Sequence, residues 1–554
     1  MERTAHDLCM VCSRFAERLQ LEAADSAAIK PGPSMPFAAD LHELRQRAFD
    51  GCTLCQIFFQ AILYYGEPGG GSSFMSYFHG EPVKLEFVEL SDYLSEPEDE
   101  EDGFGIRAWF RRRGLLLWST DTPLIKLDPR CPRIPSRLCS TEPGAEPSYL
   151  DEGITALAAL VKGWLANCRE GHAECNTAVA KQMQGQPARS DVPTRLVDVG
   201  EEGDEISLRI LLNNEENPAT EYTTLSYAWG GRGSDIKLTA SNISEMTKAI
   251  DWARLPKTIQ EAINFTRKLG VRYIWIDALC IMQSTEPDDI AAQDDWHREA
   301  EQFGRYYRNS LLTIAATGVA DSAGGLFLPR PALVFQPQPL TLQRRTAEGT
   351  LTPMTIFPSM PTRLGEIHSS PLALRGWAVQ ERILSTRVVH FATNCVLWEC
   401  GGLRATEVYP EGLHPEDESH GWLGSWMFDE FRRLDDHDVG SVLNGWYSFV
   451  EHYTRTNFTY QLDRLPARAS LAEIVHERIG RDRRYLAGIW EVDISVGLSW
   501  GAWGPFLWDP PGHGKEHMGE RDSVTSWSWA SARGQVIFLF CQGEKWNPLL
   551  EVQS

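Results

Sequence analysis

Between residues 222 and 317, apolar runs of strand length alternate with amphipathic segments of helical length. YTTLSYAWG (222–230) is rich in β-branched and aromatic residues, and LPKTIQEAINFTRKLG (255–270) repeats apolar positions at helical spacing before a terminal glycine. VRYIWIDALCIMQ (271–283) is almost continuously apolar, as expected of a strand covered on both faces, and LLTIAAT (311–317) is a shorter strand of the same kind. This alternation predicts an α/β fold with a parallel sheet and right-handed crossovers.

The helix predicted before the last of these strands, DDWHREAEQFGRYYRNS (294–310), carries a carboxylate among its apolar positions. At about 100° per residue, its apolar stripe consists of Trp296, Ala300, Phe303, Tyr307 and Ser310. Glu299 falls within this stripe, whereas Arg298 and Glu301 point to the expected solvated face. Because a buried carboxylate is costly without a partner, Glu299 is interpreted in two ways. Either Glu299 takes part in function, or it is a structural glutamate. A structural glutamate would pair with an arginine or reach water at the edge of the stripe.

Ligands of parallel α/β sheets bind beyond the carboxyl ends of the strands. On this rule the candidate binding residues are Ser226, Tyr227, Trp229, Gly230 and Asp277. Gly230 opens the stretch GGRGS, whose glycines would let backbone N–H groups approach a pyrophosphate. Structural roles stay open for Trp229 as a core aromatic and for Asp277 as a loop cap.

The flanking sequence differs in composition from this α/β segment. A helix is predicted from about 151 to 167, and WYSFVEHYTR, LAEIVHERI and a strand-like VIFLF follow residue 400. The predicted domains are a Cys-rich N-terminal region (1–65), a linker and helical region (66–195), the α/β domain (196–400) and a C-terminal α+β region (401–554).

Composition narrows the class of protein. The 554 residues are 42% hydrophobic and 23% charged, which is typical of a globular chain too long for a single core. A net charge of −23, without any basic stripe, argues against nucleic acid or an anionic membrane as the main partner. The N-terminus lacks the apolar core of a signal peptide, and no stretch predicts a membrane span, so a cytoplasmic protein is expected.

Twelve cysteines in such a chain predict reduced thiols or metal ligands rather than disulfides. Two CxxC pairs, Cys9/Cys12 and Cys52/Cys55, provide four thiolates, enough for a tetrahedral structural zinc ion. The alternative is a set of reduced cysteines packed between helices. A further group, Cys168, His172 and Cys175, fits one helical face but is one ligand short of a structural zinc site.

Five ordered segments and a short sixth together resemble the fungal heterokaryon-incompatibility (HET) domain. They are TLSYAWG (224–230), LPKTIQEAI (255–263), YIWIDALCIMQ (273–283), DWHREAEQFGRYYRNS (295–310), LRGWAVQERILSTRVVHF (374–391) and WEC (398–400). The resemblance implies a role in non-self recognition that triggers regulated cell death when incompatible cells fuse. HET domains are in turn distantly similar to Toll/interleukin-1-receptor (TIR) domains, which implies a flavodoxin-like parallel sheet with flanking helices.

Some TIR domains cleave the nicotinamide–ribose bond of NAD⁺ with a glutamate on the corresponding helix, so the resemblance implies that Glu299 is catalytic. Trp296 or Trp229 would stack on a ring of the substrate, and Asp277 would bind a hydroxyl or orient an arginine. Nicotinamide departs neutral, so the main requirement is a carboxylate that stabilises an oxocarbenium-like transition state.

A second hypothesis is that the HET domain has no catalytic activity. The HET domain would then be a non-catalytic scaffold that self-associates or recruits partners. Arg375, Glu381 and Arg382, within RGWAVQER, are interpreted as structural ion pairs that hold the following region against the sheet, with one of these arginines as a possible partner of Glu299.

Overall fold

In the computed structural model of the chain, the described residues fall into ranges separated by gaps. They are 8–21, 35–65, 83–89, 104–110, 113–119, 151–173, 175–176, 192–201, 203–210, 221–230, 236–284, 286, 289–328, 340–345, 349–356, 367, 370–407, 409–412, 438–458, 461–502, 525–532 and 534–538. Residues 231–234 of the glycine-rich stretch lie outside them. No helix in the described ranges is both long and apolar enough to cross a membrane.

The helices and strands of the described residues have the following bounds, in chain order. The helices are α1 (Met10–Leu21), α2 (Leu41–Phe49), α3 (Thr53–Tyr65), α4 (Asp151–Gly171), α5 (Ile243–Met246), α6 (Lys257–Leu269), α7 (Asp277–Cys280), α8 (Ile290–Asn309), α9 (Gly376–Leu384), α10 (Val439–Tyr453), α11 (Ala469–Ile479) and α12 (Ile494–Gly497). The first strands are β1 (Met35–Ala38), β2 (Val83–Glu89), β3 (Phe104–Phe110), β4 (Arg113–Ser119), β5 (Arg195–Asp198), β6 (Ser207–Ile210), β7 (Tyr222–Ser226), β8 (Tyr273–Trp275) and β9 (Leu312–Ala315). The remaining strands are β10 (Leu340–Arg345), β11 (Leu351–Ile356), β12 (Arg387–Phe391), β13 (Val396–Cys400), β14 (Arg404–Thr406), β15 (Tyr485–Leu486), β16 (Ile489–Trp490), β17 (Trp500–Ala502) and β18 (Val536–Phe538).

An eight-stranded sheet forms the centre of the α/β region, in the order β14-β13-β12-β9-β7-β8-β5-β6. The four central strands, β12, β9, β7 and β8, are parallel to one another, and the two strands at each edge run antiparallel to their inner neighbours. Taken in chain order, the parallel strands have the arrangement of a flavodoxin-like sheet, with the switch point between β7 and β9. The predicted α/β class, with a central parallel sheet and flanking helices, is confirmed.

Helix α6 illustrates how local sequence defines this layer. Ile259, Ala262 and Ile263 are completely buried against the sheet, as their helical spacing predicts. Gly270 ends the helix in the left-handed conformation with φ of 79°, which favours glycine because it has no Cβ. Pro256 precedes the first turn, where a missing backbone N–H leaves no helical hydrogen bond unmade.

The segment 271–283 was predicted as one strand, and this prediction is wrong beyond Trp275. Strand β8 ends there, and Asp277–Cys280 form a helical turn in which the Cys280 N–H donates to the Ile276 carbonyl at 2.8 Å. Both elements are buried, and a short apolar run does not reveal whether the backbone is extended or helical. This difference affects the position of a candidate binding residue, because Asp277 is the first residue of the turn and lies directly beyond the end of β8.

The described parts of the flanking regions have their own structure. Strands β1 to β4 form an antiparallel sheet, and α1 contacts the hairpin formed by β10 and β11. Helices α10 and α11 pack with the short strands β15 to β18 around a second hydrophobic core that also includes Ile383 and Leu384 of α9. Helix α9 therefore belongs to both cores and connects the sheet to the C-terminal region.

Candidate functional site

Polar side chains converge beyond the carboxyl ends of β7 and β8. We call this group the carboxyl-edge site; its members are Ser226, Tyr227, Trp229, Asp277, Arg375 and Glu381. The Arg375 side chain donates to the backbone carbonyl of Tyr227, and Nε1 of Trp229 donates to the Asp277 carboxylate at 2.9 Å. Strand ends supply four of these residues; Arg375 immediately precedes α9, and Glu381 lies in its second half.

Burial shifts the pKa of both carboxyl groups of the site upward. Burial raises the pKa of Glu381 to about 7, although the Ser226 hydroxyl and the Arg375 charge both oppose the shift. Burial likewise raises the pKa of Asp277, against the charge of Arg375 and hydrogen bonds from Ala278 and Trp229. The charge of Asp277 also raises the pKa of Glu381, so near neutral pH Glu381 can take up or release a proton.

Two buried polar atoms at this site have no hydrogen-bond partner among the described residues. They are the Tyr227 hydroxyl and Oε2 of Glu381. The Tyr227 hydroxyl lies near Asp277, and burial together with that carboxylate raises its pKa well above the usual value. Since buried polar atoms are normally paired, these two atoms are available to hydrogen-bond a ligand or water.

The rim of the site is formed by Trp229 and Gly230. Trp229 is half-buried, and the Lys237 ammonium group lies 4.9 Å from the centre of its ring. Gly230 has φ of 80°, and a Cβ there would lie 2.5 Å from Cβ of Asp321. Only glycine therefore fits this turn, which directly follows Trp229.

Glu299 lies outside the carboxyl-edge site, in a buried network on the inner face of α8. Its side chain is 1% exposed. It accepts hydrogen bonds from the Thr194 hydroxyl at 2.8 Å and from the Tyr306 hydroxyl at 2.7 Å. The arginines that face it are Arg195, at 3.6 Å, and Arg298, at 3.7 Å, rather than Arg375 or Arg382 as the sequence suggested.

Asp295, one turn earlier, was not identified from the sequence. Its side chain is 1% exposed and forms a bidentate ion pair with Arg195. It also accepts a hydrogen bond from the backbone N–H of Met282 at 2.8 Å. Its position four residues before Glu299 was the available signal, because i and i+4 residues share a helix face. Together, Arg195, Asp295 and Glu299 fix α8 to strand β5.

Trp296 occupies the margin of the stripe predicted for α8. It is half-buried, and its ring meets that of Trp377 edge-on at 6.5 Å. It packs against the core of the α/β region. This contact is typical of core packing.

Arg382, predicted to form structural ion pairs, binds Glu399 of β13 through two hydrogen bonds of 2.8 and 3.0 Å. The His390 ring also lies 3.2 Å from that carboxylate. Glu399 is completely buried, and the pair joins α9 to the antiparallel edge of the sheet. By contrast, Arg375 and Glu381 of the same motif face the carboxyl-edge site.

The two CxxC pairs come together at the N-terminal ends of α1 and α3. Sγ of Cys12 lies 3.4 Å from both Cys52 and Cys55, and Cys9 lies 3.9 Å from Cys55. Zn–S bonds of about 2.3 Å imply sulfur separations of about 3.8 Å in a tetrahedral site. The four cysteines can therefore hold a metal ion with little rearrangement, as the sequence predicted.

Comparison with known proteins finds a family model that matches part of this chain. The family model described as heterokaryon incompatibility protein (HET) matches residues 222–381. The matched range begins at β7, includes α6, α8 and β9, and ends at Glu381 of α9. It thus spans every member of the carboxyl-edge site. No curated protein and no solved structure matches the chain significantly.

Proposed function

We infer from the HET domain at residues 222–381 that this chain has a heterokaryon-incompatibility-type function, and we propose that the domain cleaves NAD⁺ or a related nucleotide. Loss of NAD⁺ would be the output that leads to regulated death of incompatible fungal cells. The observation that carries the proposal is the carboxyl-edge site, where two carboxyl groups and two orphaned polar atoms lie at the strand ends.

The site has the groups that this reaction requires. A carboxylate beside the ribose offsets the positive charge that develops as the bond to nicotinamide breaks. Asp277 is half-buried and lies next to the indole of Trp229, on which a nicotinamide or adenine ring can stack. Arg375 is a guanidinium at the same edge, suited to a phosphate or ribose oxygen.

Glu299, the catalytic residue implied by the TIR similarity, is placed differently in this proposal. Its hydrogen bonds to Thr194 and Tyr306 and its proximity to Arg195 occupy the carboxylate. We assign it a positioning role for α8, with direct contact to the nucleotide left to Asp277 and Glu381. A catalytic and a positioning role for Glu299 predict different effects when Glu299 is substituted.

Nicotinamide release by the purified full chain from NAD⁺ tests the proposal. We expect Asp277→Asn and Glu381→Gln to lower the rate by about 10²-fold or more, as is usual for loss of a charge-stabilising group. Glu301→Gln, on the exposed face of α8, is the matched control and should leave the rate unchanged. A folded Glu299→Gln variant that alone abolishes release would return the catalytic role to Glu299.

The second candidate function is a non-catalytic HET scaffold that self-associates or recruits partners. The fully partnered, buried carboxylate of Glu299 favours it, because an inward glutamate then needs only a structural reason. If the wild-type chain releases no nicotinamide at any protein concentration yet forms concentration-dependent homo-oligomers by light scattering, the scaffold replaces the enzyme.

A further inference from the structure

Two cysteines and a histidine around the end of α4 lie against the end of β13. Cys168, His172 and Cys175 come from one short segment, and Cys400 is the last residue of β13. Their ligand atoms all lie within 4.8 Å of one another. Sγ of Cys400 is 3.3 Å from Nδ1 of His172, although the two residues are 228 positions apart.

We propose that Cys168, His172, Cys175 and Cys400 form a second structural zinc site, separate from the N-terminal four-cysteine cluster. Three thiolates and one imidazole are one of the recurrent ligand sets of structural zinc. The sequence suggested three of these ligands, and the fold supplies the fourth. Zinc binding displaces the three thiol protons and leaves a complex with a net charge of −1.

Neighbouring donors suit that negative charge. Nε of Arg387 donates to Sγ of Cys168 at 3.1 Å, and the backbone N–H of Gly401 donates to Sγ of Cys175 at 3.2 Å. Hydrogen bonds from surrounding groups orient metal ligands and typically affect metal affinity by 10- to 100-fold. Arg387 also places a positive charge beside the complex.

The backbone around the site leaves room for the imidazole. A Cβ on Gly402 would lie 2.6 Å from Cγ of His172, so the ring rests directly on the glycine. Trp164 of α4 packs against Trp398 of β13 with ring centres 5.8 Å apart, and its Nε1 donates to the Pro410 carbonyl at 2.8 Å. The ligands are thus held together by contacts that do not involve the metal.

This site would attach the segment before the HET domain to the edge of the central sheet. Cys168, Cys175 and Cys400 are buried and His172 is half-buried, so an ion here would be shielded from solvent. Metal binding then stabilises the docking of α4, because the ligands come from two segments that only the folded chain brings together. The inference is independent of NAD⁺ cleavage.

The first experiment measures the zinc content of the purified full chain by mass spectrometry. We expect two ions per chain, one for each ligand group. The Cys400→Ser and Cys12→Ser variants should each lose one zinc ion, and the double variant should lose both ions. Cys280→Ala, at a buried cysteine outside both groups, is the control and should retain two. A Cys400→Ser variant that keeps its full zinc content overturns the proposal, as does a disulfide between Cys168 and Cys175 in the wild type.

A second measurement remains valid if Cys400→Ser fails to fold. In a Cys12→Ser background, Co²⁺ added to the chelator-treated protein should give tetrahedral absorption with thiolate charge-transfer bands from the remaining site. Arg387→Gln in that background should weaken Co²⁺ binding by about 10-fold or more in competition with a chelator. Absence of the tetrahedral spectrum in folded Cys12→Ser protein also overturns the proposal.

Discussion

The Tyr306 hydroxyl donates a 2.7 Å hydrogen bond to Oε2 of Glu299, whereas the hydroxyl of the next residue, Tyr307, donates to the Leu225 carbonyl at 2.9 Å. Tyr307 also lies beside Glu381 of the carboxyl-edge site. Consecutive tyrosines of α8 therefore contact two different networks, one at Glu299 and one at the strand ends. This arrangement gives a direct test of the structural role of Glu299.

Tyr306→Phe should lower the free energy of unfolding by about 1.5–3 kcal/mol, because it removes a buried hydrogen bond to a charged group. Tyr273→Phe, at a half-buried tyrosine of β8, is the matched control and should change stability by less than about 0.5 kcal/mol. Urea unfolding of both variants measures the difference. Equal effects would show that the Tyr306–Glu299 hydrogen bond contributes nothing specific.

The pair formed by Arg382 and Glu399 should show strong coupling in a double-mutant cycle. Glu399 is completely buried, so Arg382→Met leaves its carboxylate with the His390 ring but without the guanidinium, and should cost about 3–5 kcal/mol. The double variant with Glu399→Gln should cost less than the sum of the single variants. The exposed pair Arg481 and Glu477, at 2.6 Å, is the control and should couple by less than about 1 kcal/mol. Similar coupling in both pairs would contradict the structural role assigned to the buried one.

Gly376, the first residue of α9, should tolerate no side chain. A Cβ there would lie 1.8 Å from Cζ of Phe458, which belongs to the C-terminal core. Gly376→Ala should therefore destabilise the protein by about 1–3 kcal/mol, and Phe458→Leu in the same chain should recover part of the loss.

Gly163→Ala provides the control for that substitution. Gly163 is an exposed glycine within α4, and a Cβ there meets nothing within 4 Å. The substitution Gly163→Ala should stabilise the protein by about 0.5–1 kcal/mol, because alanine loses less conformational freedom than glycine when the helix forms. Thermal unfolding of both variants gives the comparison, and a neutral Gly376→Ala would contradict the contact with Phe458.

Stability should fall as the pH rises from about 4.5 to about 7 through the contribution of Glu381. Its pKa in the folded chain is about 7, above the ordinary value of 4.5, so the folded state binds the proton more tightly than the unfolded state. Full ionisation then costs at most about 3 kcal/mol, at 1.36 kcal/mol per pKa unit.

Glu381→Gln should flatten this pH dependence, measured by urea unfolding between pH 4.5 and 8. Glu407, whose pKa burial raises to about 8, contributes a slope of the same sign in both proteins and serves as the internal reference. An unchanged slope in Glu381→Gln would show that this carboxyl group ionises as easily in the folded state as in the unfolded state.

Prediction from the sequence succeeded where structure depends on local periodicity. The spacing of Ile259, Ala262 and Ile263 and the terminal Gly270 predicted α6, and the alternation of elements predicted the parallel sheet. It failed at the end of β8, because a short apolar run has the same composition in a buried strand and in a buried helical turn.

The candidate sites show the same division. Periodicity alone placed Glu299 on the buried face of α8, and the CxxC spacing alone indicated the first cysteine cluster. The rule for strand ends selected Ser226, Tyr227 and Asp277 as neighbours. What the pattern did not reveal was that Arg375 and Glu381 reach the same edge, because α9 is distant in sequence and its position depends on packing against a second core.

The sequence by itself determined the class of fold and the inward face of periodic helices such as α6, since these follow from the repeat of apolar positions along one element. Tertiary structure alone decided which inward polar groups meet. Glu299 contacts Thr194, which is about a hundred positions away in the sequence. His172 contacts Cys400, which lies at the far end of the α/β region in the sequence. The physical reason is that a helix or strand specifies only the direction of a side chain, whereas the partner comes from whichever distant segment the packed core brings against it.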